Sequence, residues 1–529
     1  MVTLIFIFIL HYLYITHSIR WVRSTILNSP RLTNSMLWYG YIYYFMFLLL
    51  LFISVIGVLR VSLLSSYSRQ NIVNYFTSLL LSVYTCFAIL AISFLYYLLD
   101  NYSSLELSFS SVPGHTAYIS YIPTNFLIEQ APLNLHLVSI YCFPFIYIFV
   151  LITVLSILFC LAYNLNELNT FFAYCTLILA AGYILFFTSS LLVFFFAYEM
   201  LLIPSFFILY NFAKTRKCVE ASYLMFFWTQ FGALFLIFGF LYILSVSSSH
   251  TFEALASTHY STYELNFLFF CLLFGFGVKL PIWPFYGWLP KAHVEASTNF
   301  SIFLSGVLVK FAFFGFLKCL ISIQLEPTFY FVYPFLSIGI IDAVFKLFYQ
   351  IDLKKLVAYS TVVEMHWLTI CVVSGQSALM LASFCMLISH ALLSTNSFLL
   401  VDAIGRRFKT RLITEVNGIN FLCPKLFLMS LVNLLIFLGF PGSIMFIAEI
   451  LFFSFCFDLY PLLALIFVFL LYLLAPTVFF RSWMNALFGS SVYFLRTIPL
   501  DLTSKELIVY GSLVVLMFWL GISWQSFII

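Results

Sequence analysis

Glu199, Lys279, Lys310, Asp342, Lys346, Glu364, His366, His390 and Glu449 all stand inside long apolar runs. A lysine at the centre of a lipid-embedded helix costs roughly 2.5 to 3.5 kcal/mol on insertion scales, so a function or a buried partner must offset it. Burial drives a lysine to give up its proton and a carboxylate to keep one, while a neighbouring opposite charge does the reverse. Moving one partner therefore switches the other between holding and releasing a proton. Acid, base, base, acid and histidine, one or two per segment, make up the chemistry of a proton relay. Each residue alone has a plainer reading. Asp342 and Lys346 are four apart and can form an ordinary intrahelical pair. His366 and His390 can be core histidines satisfied by a hydroxyl such as Ser389 or Ser394. Glu199 and Glu449 lie deep in FFFAYEMLLIPSFF and FLGFPGSIMFIAEI, which leaves a snorkelling or purely structural role the weaker account.

The elements that carry them are interrupted. Phe274 to Lys318 reads FGFGVKLPIWPFYGWLPKAHVEASTNFSIFLSGVLVKFAFFGFLK: an apolar helix ending at Lys279, a break at Pro281, Pro284 and Pro290, then a second apolar helix with Lys310 near its middle. A helix that breaks inside a membrane frees backbone groups, which only protein or internal water can satisfy. Pro441 and Gly442 interrupt a second apolar run beside Glu449 in the same way. Two broken helices, five spans apart and each beside a charge, predict two inverted repeats of about five helices with polar sites at their interfaces.

Composition sets the frame. The 529 residues are 64% hydrophobic and 8% charged, against about 25% charged in soluble domains. This predicts an all-α polytopic membrane protein with about fourteen transmembrane helices and no sizeable soluble domain. The expected order is an N-terminal extension over 1–35, N-terminal transmembrane helices over 36–169, a first repeat over 170–323, a second over 327–481 and a C-terminal helix region over 482–529. Core spans are expected at 37–64, 75–99, 137–163, 171–188, 191–212, 221–244, 329–350, 353–373, 378–401, 422–455, 462–480 and 507–527, besides the broken Lys279 segment and the Lys310 helix. Val2 to Ile15 is apolar but short, so an extra crossing, an interfacial helix and a targeting remnant all remain open.

Net charge is +4, and its distribution says more than its sum. Arg60 and Arg69, Lys214 to Lys217, Lys354 and Lys355, Arg406 to Arg411, and Arg481 to Lys505 fall on one side of this segmentation, which the positive-inside rule makes cytoplasm-like or matrix-like. The 11 cysteines show no CxxC pair or metal-ligand spacing, so no iron–sulfur or zinc site is expected. No nucleotide motif is visible. The abundance of Phe and Tyr hints at an AT-rich, organelle gene.

VKLPIWPFYGWLPKAHVEAS followed by LVKFAFFGFLK closely resembles the antiporter-like subunit 4 family of NADH dehydrogenase, the proton-pumping respiratory complex I. FAYEMLLIPSFFILY, FYQIDLKKLVAYSTVVEMHWLTI, ISHALLSTNSFLLVDA and PGSIMFIAEILFF match further family signatures in order, from about Phe171 to Phe480. Before Thr170 the likeness is in hydropathy alone. The resemblance implies a membrane-arm subunit of the mitochondrial inner membrane that relays protons, packs against other antiporter-like subunits and lipid, and binds no nucleic acid. It implies no cofactor in this chain, with NADH, FMN, iron–sulfur clusters and ubiquinone elsewhere in the complex. It makes Glu199 and Lys279 the input ion pair, Lys310 the central relay lysine, His390 the family histidine and Glu449 the exit carboxylate. Two positions depart from the family pattern. Tyr286 stands where bacterial relatives often have histidine, and Glu364 replaces the histidine of the SVSHM motif. Glu364 is accordingly expected to be a relay residue paired with Lys310 or Lys346 from a neighbouring helix.

Two other functions fit part of this pattern. A monovalent cation/proton antiporter subunit shares the charges and differs in its company, since it would not migrate with flavin and iron–sulfur proteins. A scaffold with structural ion pairs predicts that replacing the lysines harms assembly and spares pumping.

Overall fold

The computed structural model describes residues 168–522 except 189, 213–214, 248–250, 253–257, 259, 324–331, 375–376, 460 and 489–500. The extension over 1–35, the expected spans at 37–64, 75–99 and 137–163, and Arg60 and Arg69 lie outside the described residues.

The described chain is helical. In order it forms α1 (Leu168–Phe187), α2 (Leu191–Asn211), α3 (Arg216–Val246), α4 (Thr262–Lys279), α5 (Trp288–Glu295) and α6 (Thr298–Ser322). There follow α7 (Val332–Phe348), α8 (Leu353–Val373), α9 (Ser377–Phe408), α10 (Pro424–Phe437), α11 (Ile444–Leu459), α12 (461–488) and α13 (Ser504–Ile522). Among the described residues, seven helices are long and apolar enough to cross a membrane. The fold is that of a multi-pass membrane protein.

Polar residues at helix starts close the first orphan N–H groups. Thr215 accepts from Cys218 N–H at 3.4 Å, Asp352 from Lys354 N–H at 2.9 Å, and Glu264 from Ser261 N–H at 2.6 Å. Several helices outrun their hydropathy. Helix α3 begins at Arg216 and α9 runs on through Arg406 and Arg407 to Phe408, because the backbone ladder continues past the apolar part. The reverse holds over 422–455, expected as one span. Positive φ at Gly439 and Gly442, with Pro441 between them, divides it into α10 and α11.

Burial separates a centre from a rim. The apolar windows of α6, α8 and α9 are 94% buried within the protein, against 39–50% in α2, α3, α4 and α12. Relay candidates on α6, α8 and α9 therefore sit inside protein. Helices α3 and α4 approach almost backbone to backbone: a Cβ on Gly232 would lie 2.8 Å from the Gly275 carbonyl, and one on Gly239 3.0 Å from Cys271 Cβ. Small residues permit such packing where lipid supplies no hydrophobic drive.

One end gathers the loops. Thr215 donates to Glu295 at 3.3 Å, Lys354 Nζ to the Ala296 carbonyl at 2.6 Å, and Arg411 to the Val294 carbonyl at 3.1 Å while pairing with Asp352 at 2.7 Å. At the same end Arg407 pairs with Glu506 at 2.6 Å. Lys354, expected as part of a surface cluster, is buried, and its ammonium caps the Ala296 carbonyl at the C-terminal end of α5.

Candidate functional site

Pro204 lacks the N–H that would bond the Met200 carbonyl, and the ladder of α2 lapses at Leu201, next to Glu199. Glu199 faces the last residue of α4. Lys279 Nζ lies 3.2 Å from Glu199 Oε1, donates to the Tyr198 carbonyl at 3.2 Å and sits 3.6 Å over the Tyr198 ring. Gln230 of α3 holds the other carboxylate oxygen at 3.2 Å. Both side chains keep some exposure, 13% for Lys279 and 18% for Glu199, so this pair is reachable from outside the central helices.

The second group is enclosed. Lys310 follows a π-helical turn, Leu304–Leu308, and its Nζ reaches back to the Ser305 carbonyl at 2.5 Å. Such turns offset the carbonyl ladder and recur at functional sites. Glu364 on α8 is hydrogen-bonded directly to His390 Nδ1 on α9, both buried. The expected lysine partner for Glu364 is not what the structure shows. Lys346 is engaged with Asp342 at 2.8 Å and Tyr286 Oη at 2.8 Å, and Lys310 acts on Glu364 and His390 electrostatically, without an ion-pair contact. Nor is His390 satisfied by a serine: Ser394 Oγ donates to the Ala391 carbonyl.

Glu449 closes the line. It lies on α11, which packs along α9, and its Oε2 is buried with no hydrogen-bond partner among the described residues. It packs on Gly439, where an added Cβ would collide with the carboxylate. The preceding half-helix is tied to α9 by Asn396 Nδ2 on Asn433 Oδ1 at 2.9 Å and Asn433 Nδ2 on Ser397 Oγ at 2.9 Å. The six candidates thus form two groups, Glu199 with Lys279 and Lys310 with Glu364, His390 and Glu449. No described contact joins them.

Residues 188–475, over half of the chain, match the family described as NADH:quinone oxidoreductase/Mrp antiporter, TM. The chain belongs to the NADH:quinone oxidoreductase/Mrp antiporter family. It is 37% identical over 323 residues to NADH-ubiquinone oxidoreductase chain 4 of Paramecium tetraurelia, covering 61% of this chain and 68% of that one. The fold is shared with the Mrp complex from Dietzia sp. DQ12-45-1b at TM-score 0.74 and 15% identity, covering 92% of this chain and 95% of that one. It is shared also with respiratory complex I from Thermus thermophilus with bound NADH, at TM-score 0.71 and 20% identity, covering 91% and 96%.

The surroundings of two polar groups of this antiporter-family chain are not evident from the sequence. Tyr286 Oη donates to Asp342 and accepts from Lys346, so the pair on α7 also fastens the segment after the first break; four-residue spacing shows the pair but not the tyrosine. His293 on α5 is fully buried and stacked on Phe398, with ring centroids 4.8 Å apart. Neither ring nitrogen has a partner among the described residues. Its only signal is a histidine in the short helix after the prolines.

Proposed function

We infer that this chain is a proton-translocating membrane-arm subunit of NADH:ubiquinone oxidoreductase. The observation that carries the reading is the buried set of Lys310, the Glu364–His390 pair and Glu449, the first three on helices α6, α8 and α9 that are themselves sheathed by the rest of the protein. Proton movement along it needs only side chains that gain and lose protons while their neighbours' charges change. The Glu199–Lys279 pair acts as the input: drawing Glu199 away from Lys279 destabilises the half-buried ammonium, which passes its proton inward. Glu449, the last carboxylate of the line, is the exit. Redox chemistry with NADH, FMN, iron–sulfur clusters and ubiquinone belongs to other subunits, and the work of this chain is driven from outside it.

The finer architecture follows the same reading. Two broken helices, α4–α5 and α10–α11, flanked by Lys279 and Glu449, support two inverted five-helix repeats within about fourteen crossings. The Paramecium relative supports placement in the mitochondrial inner membrane beside other antiporter-like subunits. A monovalent cation/proton antiporter subunit is the second reading, favoured by the fold shared with the Mrp complex. Native-gel separation with an NADH activity stain and mass spectrometry of the active band decides between them. The chain is expected in that band together with flavin and iron–sulfur proteins, and its presence only in a band lacking both would reject the first reading.

A further inference from the structure

The break after Lys279 must pair its backbone groups without a regular helix. Leu280 N–H reaches the Phe276 carbonyl, Ile282 N–H the Gly277 carbonyl and Phe285 N–H the Ile282 carbonyl, each at 2.8 Å. Pro281 and Pro284 have no N–H, and the Trp288 indole N–H occupies the Val278 carbonyl at 2.8 Å. Trp283 N–H turns elsewhere, donating to His366 Nε2 on α8 at 2.8 Å. A non-helical N–H at membrane depth requires such an acceptor from surrounding protein.

The histidine is committed on both sides. Its Nδ1 lies 2.8 Å from the Val362 carbonyl, which can only accept, so Nδ1 carries the proton and Nε2 offers its lone pair to Trp283. The ring is fully buried. Gly339 on α7 gives it room, since a Cβ there would strike the imidazole and lie 2.8 Å from Trp283 Cβ. Three residues further on, Tyr286 is fastened to α7 through Asp342 and Lys346. Helices α7 and α8 thereby grip the break from two positions, and the end of α4, which carries Lys279, is set by that grip.

We propose that His366, as the neutral Nδ1–H tautomer, is a positioning residue that anchors the break and holds Lys279 against Glu199 and Tyr198. It is not a stop on the relay, because a proton on Nε2 would set a donor against the Trp283 N–H. The inference rests on the Glu199–Lys279 input reading.

The test measures NADH-driven proton translocation per assembled complex in sealed vesicles. His366→Leu keeps bulk and removes the acceptor, and should lower the rate about fivefold or more, the bias that one unsatisfied buried donor exerts on a two-state element. His366→Gln, whose side-chain oxygen reaches the place of Nε2, should restore it to within about twofold. Gly339→Ala displaces the ring while leaving its acceptor intact and should behave like His366→Leu; it carries the test where the leucine variant does not assemble. An undiminished rate in the assembled His366→Leu or Gly339→Ala complex, or a glutamine variant as impaired as the leucine one, overturns the anchor. Lys279→Ala separates the two layers: full translocation there sinks the input reading itself, whereas a sensitive Lys279→Ala beside an insensitive His366→Leu sinks the anchor alone.

Discussion

Glu364 and His390 touch inside the bundle, and two titrating groups in contact exchange protons as one site with two macroscopic steps. Lys310 on α6 and Glu449 on α11 stand on helices that both pack against α9, which carries His390. Glu364→Gln keeps volume and a hydrogen-bonding oxygen for His390 but can no longer ionise, so it should cut proton translocation about a hundredfold, at the low end of what a positioned acid or base contributes. Assembly should hold near the wild-type level, measured as complex recovered on a native gel. Lys310→Ala and Glu449→Gln should follow the same pattern. Normal translocation by an assembled Lys310→Ala complex would leave these charges with a structural role only. Depth in an apolar run makes all six candidates legible in the sequence, since lipid selects against idle charge. Partnership is not legible. Glu199 and Lys279 are 80 residues apart and Glu364 and His390 are 26 apart, so each meeting is set by helix packing that no local pattern encodes, and the hydrogen-bond partner of Glu364 is a histidine rather than the expected lysine.

At the scale of elements, the breaks separate glycines that must be glycine from those that need not be. Gly439 has φ +70°, and an added Cβ would strike Glu449. Gly439→Ala should destabilise the second broken helix by about 1–3 kcal/mol, read as loss of assembled complex on mild heating. Gly287 is the control, with nothing within 4 Å of an added Cβ and an ordinary backbone of φ −58°. Gly287→Ala should be neutral or slightly stabilising, by up to about 1 kcal/mol. Equal sensitivity at both positions would mean that the second break imposes no local strain. Pro281, Pro284 and Pro441 announce where helices fail, because a missing N–H is a local property. What replaces the lost bonds is hidden from the sequence. The Trp283 N–H finds its acceptor on α8 and Asn433 its partners on α9, and those elements lie far along the chain.

At the largest scale, among the described residues, basic side chains gather at one end of the helices, beside the enclosed α6, α8 and α9. Charge counting along the sequence shows this asymmetry, although it includes Lys354, which burial withdraws from the surface to cap α5. Contacts among Thr215, Glu295, Asp352, Lys354 and Arg411 bring the described residues 215–217, 354–355 and 406–411 together. Positive loops resist export across an energised membrane, and the bias is strongest for short loops such as these. On the proposed placement in the inner membrane, this pole faces the matrix. Lys217, Lys291 and Lys409 are exposed there, which makes them targets for a membrane-impermeant amine reagent, whereas buried Lys354 serves as an internal negative control. In inside-out submitochondrial particles the reagent should modify Lys217 and Lys409 and spare Lys354; in mitoplasts, whose outer surface is the intermembrane side, it should modify none of them. Denaturation before labelling should bring Lys354 up to the level of the others, showing that burial rather than chemistry had protected it. Modification of Lys217 or Lys409 in sealed mitoplasts would invert the topology, and with it, on the proposed input role, the side from which the Glu199–Lys279 pair takes up its protons.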